Sequence, residues 1–132
     1  MNKSFLIVVL FIMACSSDDV SNNNPLTTFT IEGKWVYPDN SLNTMYIYEA
    51  GIRYTYYCVG SDCESQYESF EAADGNHLPT THPYKVENTM LTVDLHFGNE
   101  WVAPLTFECG GNKVTFATPN PYYLNRLGYD CN

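Results

Sequence analysis

Five cysteines are the residues of this 132-residue chain best equipped for chemistry: Cys15, Cys58, Cys63, Cys109 and Cys131. A thiol can attack a substrate, hold a metal or close a disulfide. A four-cysteine zinc site asks for two knuckles of the C-x₂-C kind, and none of these spacings supplies one. Pairing is the remaining chemistry, and an odd count leaves one cysteine to be explained separately. Cys58 and Cys63 flank the turn Val59–Asp62. If strands pair across that turn, the two cysteines face each other within disulfide reach. Cys109 and Cys131 then form a second bridge, worth roughly 3 kcal/mol in a chain-entropy account. The other two connectivities of four cysteines stay open.

Other reactive side chains are sparse. His77 and His82 share the loop Gly75–Pro83 and could hold a metal with Asp74, but a solvated proline-rich loop is the plainer reading and no metal is expected. His96 alternates with Leu95 and Phe97, which puts it on the outer face of a strand. Asp62 and Glu64 form a carboxylate pair beside Cys63, and no Gly-x-Ser-x-Gly occurs. Nucleophilic catalysis needs a nucleophile beside an oriented base, so neither catalysis nor a cofactor is expected. The eleven tyrosines are the remaining signal, with Tyr54, Tyr56 and Tyr57 in one segment and Tyr122 and Tyr123 in another. An apolar ring with a polar tip suits sugar or protein contact, and equally the core and rim of a β-barrel.

The odd cysteine is Cys15. It ends an apolar run, Phe5–Ala14, that follows Lys3. The run is too short to span a bilayer, which takes about 20 residues, and fits the h-region of a signal peptide. Ile12-Met13-Ala14-Cys15 resembles a bacterial lipobox. The resemblance implies cleavage after Ala14 and a diacylglycerol on the Cys15 sulfur, so residues 1–14 are a lipoprotein signal peptide. Acyl chains add about 0.8 kcal/mol per buried CH₂, so two or three anchor a soluble domain firmly. Ser16-Ser17-Asp18-Asp19 resembles the acidic tract of surface-exported lipoproteins of Bacteroidota-type bacteria. The expected location is the outer membrane, lipid-anchored and open to cell-surface exposure. Residues 15–28 then form the lipidated end and a polar tether. Export places the other four cysteines where thiols pair.

Without Lys3 the chain carries 5 bases against 15 acids, a net charge of −10. That charge excludes nucleic acid as a partner, because phosphates demand Lys and Arg. It keeps an exported domain soluble, and it would steer a basic partner towards it.

The elements that must position these side chains read as strands over residues 29–132. Leu91, Val93, Leu95 and Phe97 alternate with Thr92, Asp94 and His96, and Trp101, Ala103, Leu105, Phe107 and Cys109 form a second such face. Val114 and Phe116 repeat the pattern, Tyr54, Tyr56 and Cys58 precede it, and Tyr46-Ile47-Tyr48 is strand by aromatic content. Turn signals at 49–51, 59–62, 87–89, 98–99 and 110–112 separate the runs. Residues 71–83 are a loop, and no 11-residue helical pattern is present. Pro104 cannot donate to a ladder, so its strand lies at an edge or is bulged there. Eight or nine short strands joined by tight turns predict an all-β antiparallel barrel or sandwich.

Gly33-Lys34-Trp35 resembles the Gly-x-Trp of the first strand in lipocalins and in the shorter lipocalin-like domains of bacterial lipoproteins. "YKVENTMLTVDL" and "LTFECGGNKVTF" resemble their paired hairpins, so the likeness covers roughly Thr30–Phe116. It implies a small up-and-down barrel in which Gly33 allows close approach at the bottom, Trp35 plugs that end and Arg126 packs over the tryptophan. It also implies a non-catalytic binding domain for a small apolar or amphipathic ligand. The alternative is a protein-binding envelope module. The charge and "YYCVGSDC" resemble small-barrel lysozyme-inhibitor lipoproteins, and an accessory subunit of an outer-membrane uptake complex is a further version.

Overall fold

Two hairpins are set by adjacent pairs of residues with positive φ. Ala50 and Gly51 (φ 49° and 79°) join β2 (Thr44–Glu49) to β3 (Ile52–Tyr57), and Asn88 and Thr89 (φ 49° and 66°) join β4 (His82–Glu87) to β5 (Met90–Asp94). Two-residue loops of this kind match the right-handed twist of the strands they connect. The remaining strands are β1 (Gly33–Val36), β6 (Glu100–Glu108), β7 (Lys113–Phe116) and β8 (Tyr122–Arg126). Each pairs antiparallel with its sequence neighbour, and β8 returns to β1, so eight strands close an up-and-down barrel. The computed structural model describes residues 28–38 and 43–131. The signal segment 1–14, Cys15 and the tether before Thr28 lie outside the described residues. Among the described residues no helix is long and apolar enough to cross a membrane.

Pro104 is not on a free edge. Residues 100–104 of β6 pair with β5, and residues 105–108 pair with β7. The proline stands at the last pair with β5, opposite Met90, where β6 passes from one ladder to the other. Its carbonyl accepts the Ala117 N–H on the β7 side, so its missing N–H falls just beyond the last β7 pair, Leu105↔Phe116.

Register partners across antiparallel strands share a face. One set points into the barrel: Trp35, Tyr48, Leu91, Val93, Ala103, Leu105, Val114, Phe116 and Leu124 are all buried there. Packed interiors of this kind hold few voids larger than a water. The opposite face of β1–β3 carries a second core of Val36, Met45, Ile47, Tyr56, Cys58, Cys63 and Tyr67. The alternating run Tyr54, Tyr56, Cys58 thus lies on the outside of the barrel wall.

What covers it is a helix, α1 (Cys63–Ser69). Strands do not pair across Val59–Asp62. Asp62 caps α1 instead, its Oδ1 accepting the Ser65 N–H, and the Gln66 amide spans the Val59 N–H and C=O. Cys63 and Tyr67, four apart, turn one helical face onto the wall. Lys34 Nζ, from β1, donates to the carbonyls of Tyr67 and Glu68 at the helix end and lies 3.3 Å from Glu71. Cations at a helix C-terminus are favourable. The disulfide Cys58–Cys63 closes the lead into α1, and Cys109–Cys131 ties the turn after β6 to the C-terminal segment.

Candidate functional site

The two ends of the barrel differ. At one end Trp35 is fully buried, with its Nε1 donating to Ile31 O. Arg126 is paired with Trp35 in register, and its guanidinium sits 4.5 Å from the ring centre. The same guanidinium donates to the carbonyls of Gly111, Glu32 and Thr30. Gly33 (φ 126°) lies under it, and a Cβ there would collide with Arg126 Nη1. One cation therefore gathers the lead into β1, β8 and the turn before β7 over a tryptophan plug. This end is closed.

The other end is aromatic. Tyr37 follows β1, Tyr46 is on β2, Trp101 is the second residue of β6 and Tyr122 begins β8; all four are half-buried. Tyr37 stacks on Tyr122 at 5.8 Å and meets Tyr46 edge-on at 6.2 Å. Tyr122 in turn stacks on Phe116 at 4.8 Å and Trp101 at 6.2 Å. Just below, the buried Tyr48 packs edge-on to Tyr84 at 5.1 Å.

Arg53 enters this cluster from β3, opposite Tyr48 in register, with its guanidinium 5.2 Å from the centre of the Tyr46 ring. Lys34, Lys85 and Lys113 each lie within 3.5 Å of a glutamate, and Arg126 is held by carbonyls. Arg53 makes no ion pair among the described residues, and its buried Nε has no hydrogen-bond partner there. Burial pushes the Tyr48 hydroxyl up to about 12, partly offset by the neighbouring Arg53 charge. Burial raises Tyr37, Tyr84 and Tyr122 as well. These hydroxyls stay protonated at neutral pH and can donate. A half-buried cation among neutral donors and aromatic rings is the lining an amphipathic anion would need.

The histidines are placed differently from the sequence reading. His77 meets Tyr54 and Tyr56 edge-on, while Asp74 accepts N–H groups from Glu71 and Asn76 within its own loop. His82 opens β4 and lies beside His96, ring centres 5.2 Å apart. His96 is not on the outer face of a strand, because β5 ends at Asp94. It begins a turn in which His96, Phe97 and Gly98 all have positive φ (69°, 55° and 78°). No group of three or more metal-ligating side chains occurs among the described residues.

Outside the barrel, over the seam of β1 and β8, a cleft of about 340 Å³ is lined by Val36, Tyr37, Glu64, Asn125, Leu127 and Asp130 among others. The seam is short: only Trp35↔Arg126 and Val36↔Asn125 pair across it.

Of the residues singled out from sequence, Gly33, Trp35 and Arg126 are brought together at the closed end. The four later cysteines stand as two structural bridges on the periphery. Cys15 lies outside the described residues. Arg53 and Asn125 were not anticipated. For Arg53 a signal existed: a lone basic residue in a strand otherwise rich in tyrosine.

Comparison of the chain with protein-family models, with curated proteins and with solved structures returns no match.

Proposed function

We propose that the chain is a membrane-anchored lipoprotein whose barrel is a non-catalytic, lipocalin-like binding module for a small amphipathic anion. The observation that carries this reading is Arg53, a cation without a carboxylate among the described residues, set among half-buried aromatics at one end of a barrel in a chain of net charge −9. The lower interior is filled by side chains, so the ligand sits shallowly at the aromatic end with its acid on Arg53 and its apolar body on Tyr37, Tyr46 and Trp101. The lead into β1 leaves from the closed end, which suits an anchor at Cys15 on that side and a ligand site facing away from it. The test is titration of octanoate into the chain carrying Cys15→Ser, followed by tryptophan fluorescence. Octanoate should quench Trp101, octanol should not, and Arg53→Met should abolish the effect while leaving the fold intact by circular dichroism. Equal binding of octanol, or full binding by Arg53→Met, would overturn it.

A second reading, a protein-docking envelope module, is favoured by one observation. Phe97 is fully exposed at the tip of a turn in left-handed backbone. The hairpin basis for the lysozyme-inhibitor version has gone, since Val59–Asp62 leads into α1. A photo-crosslinker at position 97 in cells should give a discrete protein adduct that one at Val59, also largely exposed, does not. Identical patterns from both positions would remove this reading.

A further inference from the structure

The cleft over the β1–β8 seam opens on the other face of the wall from the Arg53 cluster and shares Tyr37 with it, but its charged lining is of opposite sign. It lies on the outer face of the barrel, between α1 and the segment that follows β8. At about 340 Å³ it falls at the small end of the range for small-molecule sites, roughly 300–1,000 Å³.

Three features of its lining agree. Asn125 is 4% exposed, and its Oδ1 has no hydrogen-bond partner among the described residues. A buried acceptor left unmade is costly, and a ligand that supplies a donor offsets that cost. Glu64, from the first turn of α1, and Asp130, from the C-terminal segment, bring two carboxylates to the same cleft, and neither makes an ion pair among the described residues. Val36, Leu127 and the rings of Tyr37 and Tyr129 provide an apolar and aromatic wall. Aromatic faces attract cations as well as apolar groups. No basic residue lines the cleft.

We propose that this cleft binds an organic ammonium with a short apolar body. The N–H₃⁺ donates towards Asn125 and is neutralised by Glu64 and Asp130, while the body rests on Leu127 and the tyrosine rings.

The test uses the full chain in a non-ionic detergent and phenethylammonium as the probe, with 2-phenylethanol as its neutral match, followed by backbone NMR shifts. Phenethylammonium should shift the amides of Val36, Leu127 and Gly128, and 2-phenylethanol should bind more weakly. Glu64→Gln with Asp130→Asn should weaken binding about tenfold, the scale of two exposed ion pairs, and erase the preference for the charged probe. Asn125→Leu separates binding from folding. Replacing an amide whose buried oxygen is unpartnered by a side chain of similar volume should raise the thermal midpoint while weakening the probe. No shifts at these amides, equal binding of the alcohol, or unchanged binding in either variant would overturn the proposal. So would a fall in thermal stability of Asn125→Leu, since it would mean that the amide is already satisfied. Arg53→Met, at the other site, should leave phenethylammonium binding unchanged, so failure here and failure of the anion site are told apart.

Discussion

The guanidinium of Arg126 lies 4.5 Å from the centre of the Trp35 ring and at the same time donates to three backbone carbonyls, those of Gly111, Glu32 and Thr30. Arg126→Ala should therefore lower unfolding stability by about 2–3 kcal/mol, since it removes charge-assisted bonds and a cation–π contact together. Arg126→Lys should recover little of this, because an ammonium lacks the planar fork that spans the carbonyls. Urea denaturation followed by Trp35 fluorescence decides it, and full recovery by lysine would show that only charge matters.

The two disulfides should differ in weight. Cys109 and Cys131 are 22 residues apart, Cys58 and Cys63 only 5. In the chain-entropy account the longer loop contributes about 3 kcal/mol and the shorter about 2. Cys109→Ser with Cys131→Ser should thus cost more in denaturant midpoint than Cys58→Ser with Cys63→Ser. The shorter bridge should show instead as faster amide exchange in α1, which it leads into. The reverse order of stabilities would mean that α1 anchors the barrel more than the C-terminus does.

Alkaline stability should follow the buried tyrosines. Tyr48 titrates near 10 in the unfolded chain and about 12 in the fold, because burial disfavours the phenolate. The unfolded state therefore releases the proton first, and stability is fully present below pH 10 and falls as pH rises from 10 through about 12. The gap corresponds to roughly 3 kcal/mol for this residue. Tyr37, Tyr56 and Tyr122 are raised too and add to the slope. Phenolate absorbance and circular dichroism should change together above pH 10. Smooth ionisation of all eleven tyrosines near 10 with the fold intact would contradict the burial seen here.

Phe97 should be dispensable for folding. Its ring is fully exposed and its φ of 55° is left-handed, a conformation costing a side chain of this kind roughly 1–2 kcal/mol. Asn tolerates that backbone better, so Phe97→Asn should leave the thermal midpoint unchanged or raise it by a few degrees. A clear drop would mean that the ring packs in solution.

Much of the barrel was legible in the sequence because alternation reports which face is buried. Leu91 and Val93, or Val114 and Phe116, have only one apolar environment to enter, the interior. Alternation does not tell inside from outside. Tyr54, Tyr56 and Cys58 alternate as faithfully as those residues, yet their core is external and exists only because α1 covers it. That helix is 7 residues long, shorter than any window that reveals periodicity, and its local marks are the cap at Asp62 and the Cys63–Tyr67 spacing. His96 was misplaced because apolar alternation runs on through Leu95 and Phe97 after the backbone has left the ladder. Arg53 and Asn125 were hidden for a different reason: each is marked by one buried atom without a hydrogen-bond partner among the described residues, and that is a property of the folded chain alone.

Arg126 also has a mechanical consequence. Tension applied at the N-terminal side reaches Thr30 and Glu32 before it reaches β1, and both of those carbonyls are gripped by the one guanidinium. The load is thereby shared with β8 and, through Gly111, with the turn that Cys109 fastens to the C-terminus. The first strand is not peeled away bond by bond; the pull has to shear a cross-braced end of the barrel. Drag on the domain would be met where one side chain joins three segments of the chain, away from the aromatic end at the far side.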